Sequence, residues 1–452
     1  MPLIGHAAYL SIGGASYLTV RLRYAKTRAD GKSRTGSLRL VGASRVKSTL
    51  RTLVFLAGLL GVGLLSNSAH AYVWMIRHGF SECNSCHVDP MGGETLTGMG
   101  RVMGQTLLSS DFGGKSPSEA AMFLYGIPEP DNVRLGGSFR VLNIYDFDTN
   151  NPRVFPMQMD VYGAGYAGNF IIAASVGVSR ASARYEHSSK ARLFGDIEDE
   201  GFIAVSRSHW IGYKLTDEIM VRGGRLNLPF GLRTPDHTMW VRSETLTDRE
   251  SDQQHGVSLV YSSERFRGEL MGSAGNYQIP QDFRGYGYSG FLEYSFDPDL
   301  ALGVSSMLLY SQKEALTIRE DITTYQRAVL RQAHGVTGRY VPFHELVLLA
   351  EADMIKRTGA SVGYVGMATA DLEPVRGLHL ALTGEVLNRG TPNPEDLGEA
   401  EREVSGPGRG DTRLGLWGTV NWFLLPHIDV RVDIVTRQRR ATMLQAQLHF
   451  YL

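Results

Sequence analysis

The sequence predicts an all-β fold: a transmembrane antiparallel β-barrel of about sixteen strands, preceded by a small α-helical unit. Three observations carry this. Residues 132–452 alternate apolar and polar positions in segments of about ten. The connections between segments are short at some joints and long at others. Apart from one stretch near the N-terminus, no apolar run is long.

The alternation is clearest at the C-terminal end. Leu444, Ala446, Leu448, Phe450 and Leu452 fall on one face, against Gln445, Gln447, His449 and Tyr451. Ile428, Val430, Val432 and Ile434 oppose Asp429, Arg431 and Asp433. Leu414, Leu416, Val420 and Trp422 oppose Arg413, Thr419 and Asn421, and Leu378, Leu380, Leu382 and Val386 oppose His379, Thr383 and Glu385. An apolar face toward lipid and a polar face toward a lumen give this pattern. Such segments begin near residues 132, 153, 169, 200, 217, 254, 264, 283, 298, 324, 343, 361, 376, 411, 427 and 441. The stretch Gly201–Leu215 alternates poorly. Leu425–His427 and Glu373–Arg376 read as short periplasmic turns, Asn388–Asp411 and Pro229–Gln254 as long extracellular loops. The pairs Trp422/Phe423, Phe450/Tyr451, Tyr294/Phe296 and Tyr340/Phe343 read as interface girdles.

Composition agrees without deciding. The 452 residues include 52 Gly and 20 Tyr, as a polar-lumened barrel would have. The formal charge of zero hides an asymmetry. Residues 1–71 hold ten Lys or Arg and one acid, Asp30, which leaves 36 basic and 45 acidic residues from 72 onward. A net charge near −9 argues against nucleic acid and suits attraction of cations.

Residues 1–71 read as an N-terminal extension and signal peptide. Leu53–Leu65 is too short to span a membrane but suits a signal core. Arg45, Lys47 and Arg51 precede it, and Ala69-His70-Ala71 follows as a cleavage site before Tyr72. Residues 1–44 look too long and patternless for a signal, so translation is expected to start near Val46.

The two cysteines lie in Cys83-Asn84-Ser85-Cys86-His87, the pattern of c-type haem attachment. Two thiols at this spacing reach the two vinyl groups of one haem, and the next residue ligates the iron. A zinc site wants a second ligand pair, a thioredoxin-like motif wants a βαβ setting, and a disulfide leaves His87 unexplained. One covalent haem c on Cys83 and Cys86, with His87 as proximal ligand, is therefore expected. Candidates for the sixth ligand are Met99, Met103 and His78, with Met91 and Met122 less favoured. Residues 72–131 form this unit, a plug for the barrel of residues 132–452. Ser116–Tyr125 reads as a capped helix within it, and Pro128-Glu-Pro130 as the junction.

One C-x-x-C-H unit joined to a barrel of this size resembles the fused monohaem cytochrome–porins of iron-oxidising bacteria. Cys83, Cys86, His87 and Leu96–Arg101 carry the resemblance, with Arg222–Arg233 and Pro235–Arg242 in the barrel. It implies an outer-membrane protein of a Gram-negative cell, seated in lipid, that passes electrons between extracellular Fe(II), or another redox substrate, and a periplasmic cytochrome or similar carrier. Substrate identity is carried by none of these residues. Two other functions fit the residues: a solute porin plugged by the haem unit, and a haem peroxidase or sensor using Arg77, His78 or Arg101.

Overall fold

A computed structural model describes residues 25–26, 34–35, 73–80, 82–111, 116, 127, 129–181, 192–194, 201–234, 236, 238–248, 252–318, 321–325, 328–391, 410–438, 440 and 442–452. The expected leader, Met122 and nearly all of the expected helix Ser116–Tyr125 lie outside these residues. Two units divide the chain, Met1–Leu65 and Ser66–Leu452. In the first, Ala25–Lys26 pairs antiparallel with Arg34–Thr35.

The second unit is built on a closed antiparallel barrel. Its wall strands are β1 (Val133–Asp146), β2 (Asn151–Ala167), β3 (Phe170–Ala181), β4 in two halves (Gly201–Val205 and His209–Lys214), and β5 (Ile219–Leu226). They continue as β6 (Gln254–Ser262), β7 (Phe266–Gly275), β8 (Tyr286–Asp297), β9 (Leu300–Ser311) and β10 (Val329–Phe343). The wall is completed by β11 (Leu346–Arg357), β12 (Gly363–Val375), β13 (Leu378–Asn388), β14 (Arg413–Leu425), β15 (Ile428–Arg437) and β16 (Met443–Tyr451). β16 pairs with β1 and closes the ring, so no edge is left. These are sixteen wall positions, each antiparallel to its neighbours. Both halves of β4 face β3, which explains the poor alternation of Gly201–Leu215: residues 206–208 break the strand. The start expected near 324 is at Val329, because Glu314–Ile318 and Asp321–Tyr325 pair as a separate hairpin in the loop.

Strand polarity follows from the alternation. Leu380 and Leu382 of β13 are exposed outward, while His379, Thr383 and Glu385 are buried inward. On β15, Ile434 faces out and Asp429, Arg431 and Asp433 face in. The two ends differ. Connections 168–169, 215–218, 263–265, 298–299, 344–345, 376–377 and 426–427 are short, and lie at the end where β1 begins and β16 finishes. The opposite end carries the long connections, including 182–200, 227–253, 312–328 and 389–412. Phe170, Phe266, Phe296, Tyr340, Phe343 and Trp422 are exposed near the short-turn end, and Tyr310 and Tyr364 near the other, as interface girdles are. Phe423, Phe450 and Tyr451 depart from the girdle expectation: all three are buried, and Phe423 packs inward on Trp74.

The segment 227–253 also departs from the reading as an extracellular loop. It starts at the long-loop end but folds into the lumen, because its apolar residues need cover. Leu228, Phe230, Leu232, Trp240 and Val241 are all buried. The loop crosses toward the far wall. Gly231 N donates to Ser305 on β9 at 2.9 Å, Leu232 N to Glu351 on β11 at 2.8 Å and Trp240 N to Glu385 on β13 at 2.6 Å. Asp236 pairs with Arg431 on β15 at 2.6 Å.

Candidate functional site

The Cys83–His87 segment forms a single helical turn. The amides of Cys86 and His87 both donate to the Cys83 carbonyl, at 3.1 and 2.9 Å. Both cysteines are free thiols and half-buried. Burial, reinforced by Cys83, pushes the Cys86 thiol up to about 11. It therefore stays protonated at neutral pH.

The following residues fold back and clasp this turn. Thr97 N donates to the Cys86 carbonyl at 3.0 Å, and Thr97 Oγ1 to the Ser85 carbonyl at 2.8 Å. The same hydroxyl caps a short helix, α1 (Gly98–Met103), by accepting from Gly100 N at 3.0 Å. Gly100 is needed there, since a Cβ would stand 2.0 Å from the Cys86 carbonyl oxygen. His87 is buried, and its Nδ1 lies 2.9 Å from the Gly93 carbonyl. A carbonyl only accepts, so Nδ1 is assigned the proton and Nε2 the lone pair.

This donor set fits a covalent haem: two thiols on one turn, and an imidazole whose Nδ1 is held by a backbone carbonyl. A cleft of about 110 Å³ adjoins His87, lined by Asn84, Val88, Tyr166, Ile171 and Met220 among others. It is smaller than a haem, so it does not by itself enclose one. Arg267 Nη1 donates to Cys83 Sγ at 3.3 Å, while its Nε donates to Glu293 at 2.7 Å.

The candidate sixth ligands divide. Met99 and Met103 both lie on α1, the helix that docks on the turn; Met99 is 48% exposed and Met103 half-buried. Met91 is buried beside Cys83, Phe291 and Glu269. His78 faces another way. It ends a 3-10 helix, Val73–His78, and lies against Glu373 of β12 at 3.8 Å and the ring of His344 at 5.4 Å. The His87 cleft is lined from β2 to β6 instead. Burial drives His78 down to about 4, so its ring is neutral at physiological pH.

Residues 73–111 are clamped to the inner wall by buried polar contacts. Arg77 pairs with Asp371 and, at 3.1 Å, with Glu373. Asp89 pairs with Arg222 of β5 at 2.9 Å, and Arg222 binds Glu269 of β7 at 2.8 Å. Glu94 accepts from Ser208. Gln105 Nε2 lies 2.8 Å from His427 Nε2 in a short turn, and Ser110 N donates to Phe423 O at 2.9 Å. Apolar contacts add to these: Val73, Trp74 and Ile76 join Val341, Val347, Leu349 and Phe423 in one cluster. The segment thus packs at the short-turn end. Sequence reading missed these wall partners. Their signal was present, in that Arg222, Glu269, Glu293 and Asp371 are charges on inward strand positions.

No family model matches this sequence, and no curated protein sequence matches it either. Solved structures are similar in fold. In-vitro folded OmpT, an outer membrane protein of Vibrio cholerae, is 12% identical with a TM-score of 0.51, covering 72% of this chain and 99% of its own. Outer-membrane expressed OmpT of Vibrio cholerae gives 12%, 0.50, 72% and 100%. Salmonella typhi OmpF, solved in complex with daunomycin, gives 10%, 0.49, 71% and 98%. The fold is that of a porin-like outer-membrane β-barrel, and the location that goes with it is the Gram-negative outer membrane.

Proposed function

We propose that this chain holds one haem c, linked to Cys83 and Cys86 and ligated by His87, in a plug across the short-turn end of the barrel. On this reading it passes electrons between extracellular Fe(II), or another redox substrate, and a periplasmic carrier. The observation that carries it is the Cys83–His87 turn, clasped by Leu96–Arg101 and clamped to the wall through Asp89 and Arg77.

Haem bound here would supply one-electron chemistry in a wall that otherwise insulates. The chain's own residues do the rest. The Gly93 carbonyl holds the Nδ1 proton of His87 and so orients the ring. The guanidinium of Arg267 sets a positive charge against Cys83 Sγ. The ion pairs to β5 and β12 hold the plug in place. The short-turn end, periplasmic in a porin-like fold, puts the turn on the side of a periplasmic partner.

A second reading has the fold itself in its favour: a solute porin in which residues 73–111 act as the plug. A cavity of about 230 Å³ between β1, β2, β14–β16 and the inner loop supports it, with Arg140, Asp236, Asp429, Arg431 and Asp433 on its lining. The peroxidase reading loses support, because Arg77 is committed to Asp371 and Glu373 and Arg101 to Glu129.

The deciding experiment mixes the purified oxidised protein with Fe(II) and follows the reduced haem band, in parallel with bilayer recordings. Rapid reduction without a large open conductance supports electron transfer. An absent or unreduced haem with a large steady conductance establishes the channel.

A further inference from the structure

A buried cation stands against the first cysteine. Arg267 and Glu269 sit two residues apart on β7 and share its inward face, while Phe266 and Leu270 are exposed on the other. Strand register sets Glu293 of β8 directly opposite Arg267. Arg267 Nε donates to Glu293 Oε1 at 2.7 Å and Nη2 to Oε2 at 3.3 Å. The same carboxylate also serves Arg339 of β10, whose Nε donates to Oε2 at 3.1 Å. Ala301 and Gly303 of β9, the strand between, are small enough to let Arg339 reach across. One carboxylate divided between two guanidiniums neutralises each only in part. The Phe291 ring lies 5.3 Å from Arg267 Cζ, and the remaining Nη1 donates to Cys83 Sγ at 3.3 Å. Sulfur accepts weakly, so this contact matters chiefly through charge. The side chains of Arg267 and Glu293 are only 10% and 3% exposed, which leaves little water to screen that charge.

We propose that Arg267 sets the reduction potential of the haem, and with it the class of donor from which the protein takes electrons. This inference rests on the haem c reading of the Cys83–His87 turn. Reduced haem carries one positive charge fewer than oxidised haem. A buried cation beside its thioether sulfur therefore favours the reduced state and raises the potential. A haem poised in this way accepts electrons even from weak one-electron reductants, and hydrated Fe(II) is one of these. Glu269 acts in the opposite sense. It lines the same crevice beside Cys83 and carries a negative charge, held by Arg222 at 2.8 Å. The two inward charges of β7 thus bias the haem in opposite directions. Arg267 acts through its charge and so differs from a residue that only keeps the plug packed.

The test is a spectroelectrochemical titration of the full chain in detergent, with the pyridine-haemochrome spectrum giving the haem per chain of each variant. Arg267→Gln should shift the equilibrium about tenfold toward oxidised haem, which is about 59 mV for one electron. Arg267→Lys keeps the charge and should keep most of the parent's potential. Glu269→Gln should move the potential upward. A plug that had merely loosened would admit water and lower the potential in both neutral variants. The proposal is overturned if Arg267→Gln retains its haem and the parent's potential, or if Arg267→Gln and Glu269→Gln both shift downward; the haem reading survives either result. A parent chain without haem would instead overturn that reading, and the role of Arg267 with it.

Discussion

The wall and the plug are held by different forces. The wall's sixteen strands bond to their neighbours through the backbone, and their side chains need only alternate. Among its described residues the plug has one 3-10 helix, the short α1 and a π turn at Gly104–Leu108. It is placed by individual side chains reaching strands far away in sequence, such as Asp89 to Arg222 and Arg77 to Asp371. A wall of this kind tolerates most single substitutions, whereas the plug depends on a few. Four experiments test that contrast.

The largest effect should come from the cysteines. Cys83→Ala with Cys86→Ala should remove all haem staining from the denatured full-length band while leaving the barrel folded. Staining that persists would place the haem elsewhere.

Next is Arg222→Met. It strands Asp89 and Glu269, both buried, which costs roughly 3–5 kcal/mol. The loss should fall on the plug, as faster proteolysis of residues 73–111 and higher bilayer conductance, with the gel shift of the wall retained. Loss of the gel shift instead would mean that the wall relies on the plug.

On the wall, Leu382→Arg puts a charge at the middle of the lipid face of β13, where Leu382 is 56% exposed. About 2–4 kcal/mol of stability should be lost in reversible unfolding from lipid. Asn421→Arg, inward on β14, should cost far less. Equal costs would contradict the assignment of faces.

The smallest effect is local. Gly100→Ala pushes a methyl onto the Cys86 carbonyl and should cost about 1–3 kcal/mol. It should show as a lower yield of covalently attached haem, read by the pyridine-haemochrome spectrum per chain. An unchanged yield would show that α1 can move aside without disturbing the turn.

The wall was legible because its rule is local. Fifteen of the sixteen expected strand starts fall within three residues of those observed; Val329 is the exception, behind its loop hairpin. Period-2 alternation needs only neighbouring residues, and Leu380, Leu382, Thr383 and Glu385 declare their faces on their own. That Cys83-Asn84-Ser85-Cys86-His87 sits on one turn was legible for the same reason, since spacing alone brings the thiols and imidazole together. Other placements depended on tertiary structure. Phe423 and Tyr451 resembled girdle residues until the plug supplied Trp74, and the short turn 426–427 supplied His427, as inward partners. Pro229–Gln254 matched an extracellular loop until Phe230, Leu232 and Trp240 found cover in the lumen. His78 lies hundreds of residues from Glu373 and His379, and only closure of the barrel around residues 73–111 brings it against them. Local geometry is set by bonds between adjacent residues, but the partners of a buried charge or lone pair are chosen by the packing of the whole chain.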